Sequence, residues 1–186
     1  MATPWPPSVR RAVRRGVVAR EGAAVDDKAS PFAHLLGRGA PRAPDLETLE
    51  AWGRAVGAAL PRPAIITLEG DLGAGKTTLA RAICAGIGVE NLAAVTSPTF
   101  SLVQHYEAPN GPVVHVDLYR LRSEAELQQL GWDELVATSP VLLVEWPDRA
   151  AGTLPPDVIA LTLTHDVEHP DRRVLRIRAA LEPLRS

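Results

Sequence analysis

The chain has 186 residues, is 46% hydrophobic and 23% charged, and carries a formal net charge of −2. That is the profile of one ordinary globular domain with enough apolar side chains for a real core, and no run approaches the roughly 18 apolar residues of a membrane span. Cys84 is the only cysteine, which excludes an intrachain disulfide or a cysteine-built zinc site and points to a reducing, cytoplasmic setting with Cys84 as a small buried apolar residue.

The charge is unevenly spread. Residues 1–44 hold eight Lys/Arg against three acids, and the remainder holds twelve against nineteen. An acidic body is a poor surface for a phosphate backbone, so any nucleic acid is expected to be reached only indirectly, through a partner. Residues 1–44, with "MATPWPPSV" and "GRGAPRAP", read as a basic Pro/Gly-rich extension, disordered rather than folded. Within it "RRAVRRGVVAR" is Arg-rich and acid-free, as targeting segments are. The folded domain is expected over residues 45–186.

Asp45 can cap a helix in which Leu46, Leu49, Trp52, Val56 and Leu60 recur at helical spacing, ended by Pro61 and Pro63. "AIITLEG" (64–70) reads as a buried strand, and "KTTLARAICAGIG" (76–88) as a helix closed by Gly86 or Gly88. "FSLVQHY" and "PVVHVDLY" flank Asn110-Gly111, which predicts a hairpin. Ser123 and Glu126 form a capping box for a short helix ending at Gly131. "VLLVEW" is a second buried strand, and "DVIALTLT" and "RRVLRIRA" alternate as half-buried strands do. Strand, loop and helix followed by more strands predict a three-layer α/β domain.

"GDLGAGKT", Gly70 to Thr77, fits G-x-x-x-x-G-K-[ST] without a gap, after an apolar strand and at the start of a helical segment. Gly70, Gly73 and Gly75 let the backbone bring amide hydrogens against an anion, and the helix adds its positive end. The loop residues Asp71, Leu72, Gly73, Ala74 and Gly75 would wrap phosphates. Lys76 would reach the β- and γ-phosphates, Thr77 would bind Mg²⁺, and Thr78 would bond the α-phosphate side. Apart from Lys76, every basic residue from Asp45 onward is arginine, and a compact ammonium fits inside such a loop where a guanidinium would crowd it.

The loop names a ligand class rather than a task. Neither Asn91 nor Asn110 lies in an N-K-x-D guanine motif, and there is no L-S-G-G-Q signature, so a GTPase and a transporter ATPase are disfavoured. A P-loop site also needs an acid on a neighbouring strand. Asp117 ends "PVVHVD" and Glu145 ends "VLLVE"; the more continuously apolar strand slightly favours Glu145 as the metal ligand. Asp117 would then lie beside it, either supporting the metal's ligands from behind or orienting a water. "TSPTF" (96–100) is a hydroxyl cluster suited to a switch, and His115 reads as a structural histidine.

Together the segments "GDLGAGKTT" (70–78), "SPTFSLV" (97–103), "HVDLYRL" (115–121), "ELQQLGWDEL" (126–135) and "VEWPDR" (144–149) resemble the TsaE family, the small ATPase of bacterial tRNA threonylcarbamoyladenosine biosynthesis. The resemblance implies a P-loop NTPase fold with a mostly parallel central sheet and an inserted antiparallel hairpin. It implies a slow, Mg²⁺-dependent ATPase acting on the partner proteins TsaB and TsaD, with no membrane role. It implies Lys76, Asp117 and Glu145 as catalytic residues, Thr77 and Glu145 as ligands of Mg²⁺, and Ser97 and Thr99 as the switch. Trp146 would support the nucleotide site or the partner surface, and Arg173 would lie near the nucleotide. One departure stands out: Leu49, with Thr48 beside it, takes the place of a threonine common near the adenine base. A P-loop kinase of a small molecule or nucleotide and a nucleotide-sensing module are the competing readings.

Overall fold

A computed structural model describes residues 31–37, 39–98 and 101–179. The Arg-rich stretch within residues 1–30, and Thr99 and Phe100, lie outside the described residues. Six strands make one sheet in the order β2-β3-β4-β1-β5-β6. They are β1 (Ala64–Glu69), β2 (Val103–Tyr106), β3 (Val113–Asp117), β4 (Val141–Glu145), β5 (Ile159–His165) and β6 (Arg173–Ala179). The four central strands run parallel, while β2 on β3 and β6 on β5 are antiparallel. This is the expected mostly parallel sheet with a hairpin after the P-loop helix. β3 and β4 are buried along their whole length, as continuously apolar strands covered on both faces must be.

Side-chain alternation sends Ile66, Leu68, Leu143, Leu161 and Leu163 to one face. There they meet α2 (Leu46–Ala59) and α3 (Lys76–Ile87). Val114, Val116, Leu142 and Val144 go to the other face, against α4 (Glu124–Gln129) and α5 (Trp132–Thr138). Helices on both faces give the three layers.

α2 begins where expected, with Asp45 accepting from the Thr48 amide at 2.9 Å, and buries Leu49, Trp52 and Val56. Leu46, placed on the same stripe by spacing, is instead 58% exposed at the helix start. α2 and α3 touch through glycines. A Cβ on Gly57 would lie 2.1 Å from the Ile83 carbonyl oxygen, and one on Gly86 would lie 2.0 Å from that of Arg54. Gly86 is thus a packing residue, and the helix is closed by Gly88 (φ 97°), in the left-handed conformation that favours glycine at a helix end. Gly86→Ala is expected to cost about 1–3 kcal/mol, the range for overpacking a tight contact, seen as a lower Tm on thermal unfolding. An unchanged Tm would mean that the two helices part freely.

The folded body starts earlier than Asp45. A short helix α1 (Pro31–Leu36) precedes it, the Leu35 carbonyl accepts from the Trp52 indole at 2.9 Å, and Leu36 is buried. Beyond α1, the carbonyls of Arg42 and Pro44 accept from the amides of Leu175 and Arg173, both at 3.0 Å. This segment therefore covers the free edge of β6, a usual solution for an unpaired strand. The capped helix ends at Gly131 as expected, with Ser123 accepting from the Glu126 amide, and Gly131 (φ 69°) also starts a further helix, α5. Cys84 is fully buried, and burial pushes its thiol up to about 12, leaving it unreactive. Among the described residues no helix is long and apolar enough to cross a membrane.

Candidate functional site

The site forms where β1, β4 and β3 end together. The pairing register aligns Leu68 with Glu145 and Glu145 with Asp117, so the two acids sit level beside the loop that leaves β1. That loop turns through positive φ at Gly70 (136°), Gly73 (78°) and Gly75 (101°). At Gly70 a Cβ would also fall 2.1 Å from the Leu163 carbonyl oxygen, so the residue is required twice over. Gly75 starts α3 without a side-chain cap, leaving first-turn amides free of side-chain competition for an anion.

Lys76 is the first residue of α3 and only 5% exposed. Its ammonium donates to the carbonyls of Gly70 at 2.8 Å and Asp71 at 2.9 Å and lies 4.0 Å from the centroid of the Trp146 ring. Burial pulls its pKa below the ordinary value, opposed by the charges of Glu145, Asp117 and Asp71. Trp146 itself has φ 59°, a left-handed conformation unusual for a side chain of this size. The chain thereby leaves β4 sharply and the ring packs on Lys76 and, at 5.0 Å between centroids, on Tyr119.

Glu145 and Asp117 are each 2% exposed, and a buried carboxylate must be satisfied. Glu145 Oε1 accepts from Thr77 Oγ1 at 2.9 Å and lies 3.0 Å from His115 Nε2. Asp117 accepts from the Tyr119 amide at 2.9 Å and from the Ser97 hydroxyl. The two carboxylates thus bond to different parts of the fold. Glu145 is tied to the P-loop helix, and Asp117 is tied to the segment that carries Ser97.

Of the remaining candidates, Asp71, Leu72 and Gly73 form the exposed crest of the loop, while Ala74 is buried and Thr78 half-buried. Arg173 reaches the loop backbone, donating from Nε to the Ala74 carbonyl at 3.1 Å; its Nη1 donates to the Pro170 and Arg172 carbonyls. Thr48 is exposed beside the cap and Leu49 is 1% exposed in the core. Reasoning from the sequence passed over Tyr119 and treated His115 as structural. The signal for His115 was its alternation with Asp117 on β3, which places both on the face shared by Glu145. A cleft of about 570 Å³ adjoins the loop, lined among others by Glu69, Asp71, Trp146, Asp148 and Arg178.

Residues 43–174 match the family model described as "Threonylcarbamoyl adenosine biosynthesis protein TsaE". The chain belongs to the TsaE family. Relatives named tRNA threonylcarbamoyladenosine biosynthesis protein TsaE include one from Haemophilus influenzae, 42% identical over 91 residues (49% of this chain, 56% of the relative). One from Synechocystis is 38% identical over 109 residues (57% and 68%), and one from Bacillus subtilis is 38% identical over 107 (57% and 65%). The chain thus spans somewhat more than half to about two thirds of the length of these relatives. The crystal structure of Bacillus subtilis YdiB superposes with a TM-score of 0.56 at 28% identity, covering 73% of this chain and 81% of that one. This TsaE-family chain therefore has the P-loop NTPase-like fold that its loop and sheet order express.

Proposed function

We propose that this chain is an ATP-binding, slowly ATP-hydrolysing subunit of the machinery that forms threonylcarbamoyladenosine next to the tRNA anticodon, working in the cytoplasm on a TsaB–TsaD complex. The observation that carries this is the Thr77–Glu145 bond of 2.9 Å across the mouth of a loop gathered on Lys76. A hydroxyl and a carboxylate side by side are the hard oxygen donors that Mg²⁺ takes from a protein when phosphates and water supply the rest of its shell. Among the described residues there is no cluster of three or more His, Cys, Asp or Glu side chains suited to a metal, which fits an ion shared with a nucleotide.

In this reading the amides of Gly73 to Thr77 and the Lys76 ammonium would hold the phosphate chain, and Thr77 and Glu145 would hold the ion. When bound, Mg²⁺ neutralises charge on the phosphate oxygens. Asp117 would orient the attacking water and accept its proton, a role supported by its lying level with Glu145 and by its bonds to Ser97 and the Tyr119 amide. Movement of the Ser97 segment would then be felt directly at that acid, which makes it the switch through which partners act.

The test is co-purification with TsaB and TsaD, with and without ATP, combined with phosphate release. Slow hydrolysis alone, a changed rate with the partners, and ATP-dependent co-elution are expected. A small-molecule kinase is the second reading, favoured by the cleft beside the loop. Efficient phosphoryl transfer to a small acceptor, without partner binding, would establish it instead.

A further inference from the structure

His115 is the one fully buried ionisable side chain of this site, 0% exposed, to which the reading above gives no task. As packing alone it is a poor choice, since β3 is otherwise valines up to Asp117 and a buried imidazole is costly unless its nitrogens are engaged. Both are near polar atoms. Nε2 lies 3.0 Å from Glu145 Oε1, and Nδ1 lies 3.4 Å from the Tyr106 hydroxyl. That hydroxyl in turn donates to Gln104 at 2.5 Å. A carboxylate oxygen only accepts, so Nε2 carries the hydrogen.

The contacts of Glu145 are one-sided. Thr77 and His115 both bond to Oε1, so among the described residues the side chain's hydrogen bonds leave Oε2 for a cation. Two donors converging on one oxygen, from α3 and from β3, also fix the plane of the carboxylate before any ligand arrives. A ring with its second nitrogen placed beside Tyr106 cannot swing away from that position cheaply.

We propose that His115 is a positioning residue for the metal-binding carboxylate: through Nε2 it holds Glu145 so that Oε2 faces the divalent cation shared with Thr77. Tyr106 and Gln104 on β2 brace the ring from the edge of the sheet. The inference rests on the assignment of Thr77 and Glu145 as the metal pair. It adds that the affinity for the ion, and not merely the fold, depends on a histidine one strand away.

The experiment uses the full chain, with ADP binding measured by calorimetry in EDTA and across a Mg²⁺ titration. The wild type should bind more tightly as Mg²⁺ is added. His115→Leu should leave binding in EDTA within about twofold, yet raise the half-effect concentration of Mg²⁺ about tenfold or more, the usual scale for losing a partner of a metal-binding side chain. His115→Gln, whose amide can present an N–H near Nε2, should recover most of that loss. Should the leucine variant not fold, His115→Gln and His115→Asn replace it, since the shorter amide cannot reach Glu145. Gln should then keep the wild-type midpoint and Asn should raise it about tenfold. An unshifted midpoint in His115→Leu, an equal loss with and without Mg²⁺, or no difference between Gln and its comparison variant overturns the assignment. A wild type indifferent to Mg²⁺ instead sinks the metal pair itself, and His115 with it.

Discussion

Lys76→Ala is expected to weaken nucleotide binding by about 100-fold or more and to remove hydrolysis. The ammonium sits inside the loop, nine-tenths or more buried, and already holds the Gly70 and Asp71 carbonyls. Hydrogen bonds to a charged group are worth about 1.5–3 kcal/mol each, and every 1.4 kcal/mol is about tenfold in affinity, so two lost phosphate contacts reach that range. Lys76→Arg should not restore binding, because a planar guanidinium needs more room than a loop turning at Gly70, Gly73 and Gly75 provides. The measurement is calorimetric titration with ATP and ADP, with thermal unfolding as the control. Burial already lowers the pKa of Lys76, so its charged form costs the empty fold something. The alanine variant should therefore unfold at or near the wild-type temperature. Binding within a few-fold of wild type would remove Lys76, and the proposed phosphate loop with it, from the functional reading.

Glu145→Gln and Asp117→Asn are expected to separate the two buried acids. In Glu145→Gln the amide oxygen can keep the bonds from Thr77 and His115, which turns the NH₂ toward the ion. Mg²⁺-dependent binding should fall about 10- to 100-fold while nucleotide binding in EDTA is kept. Asp117→Asn should instead lower the hydrolysis rate by about 10²-fold or more, the usual scale for losing a base, with the Mg²⁺ midpoint unchanged. The geometric reason is that Asp117 is bonded to Ser97 and the Tyr119 amide, while Thr77 bonds to Glu145. If Asp117→Asn removed the metal dependence and Glu145→Gln did not, the roles would be exchanged. Both variants keep the shape of the side chain, so a changed fold, detected by circular dichroism, should not confuse the result.

Local chemistry made the shape of the glycine-rich loop after β1 readable without coordinates. Eight contiguous residues with glycine at each left-handed turn, and lysine before threonine, specify a backbone shape by themselves. The same holds for the Asp45 and Ser123 caps and for the apolar runs of β1 and β4, whose signals lie within a few residues. Other features were decided only by distant parts of the chain. Residues 31–44 look like a Pro/Gly-rich extension by composition, and what orders Arg42 and Pro44 is the open edge of β6, over 120 residues later. Gly131 reads as a stop, and that it also starts α5 follows from the apolar face onto which Trp132 and Val136 pack. Gly86 and Gly88 read equally as the helix end until the Arg54 carbonyl is found where a side chain on Gly86 would be.

The site divides in the same way. The sequence alone determined that a loop with glycine at its left-handed turns follows β1 and that Asp117 and Glu145 are the acids at strand ends, because motif and alternation are short-range properties of the backbone. Only the tertiary structure decided how they are shared out. Thr77, His115 and Glu145 come from α3, β3 and β4, and strand order and register bring the first two within 3.0 Å of the same oxygen of Glu145. No spacing along the chain encodes that register. It is set by which buried faces must meet, and that is a property of the whole packed sheet.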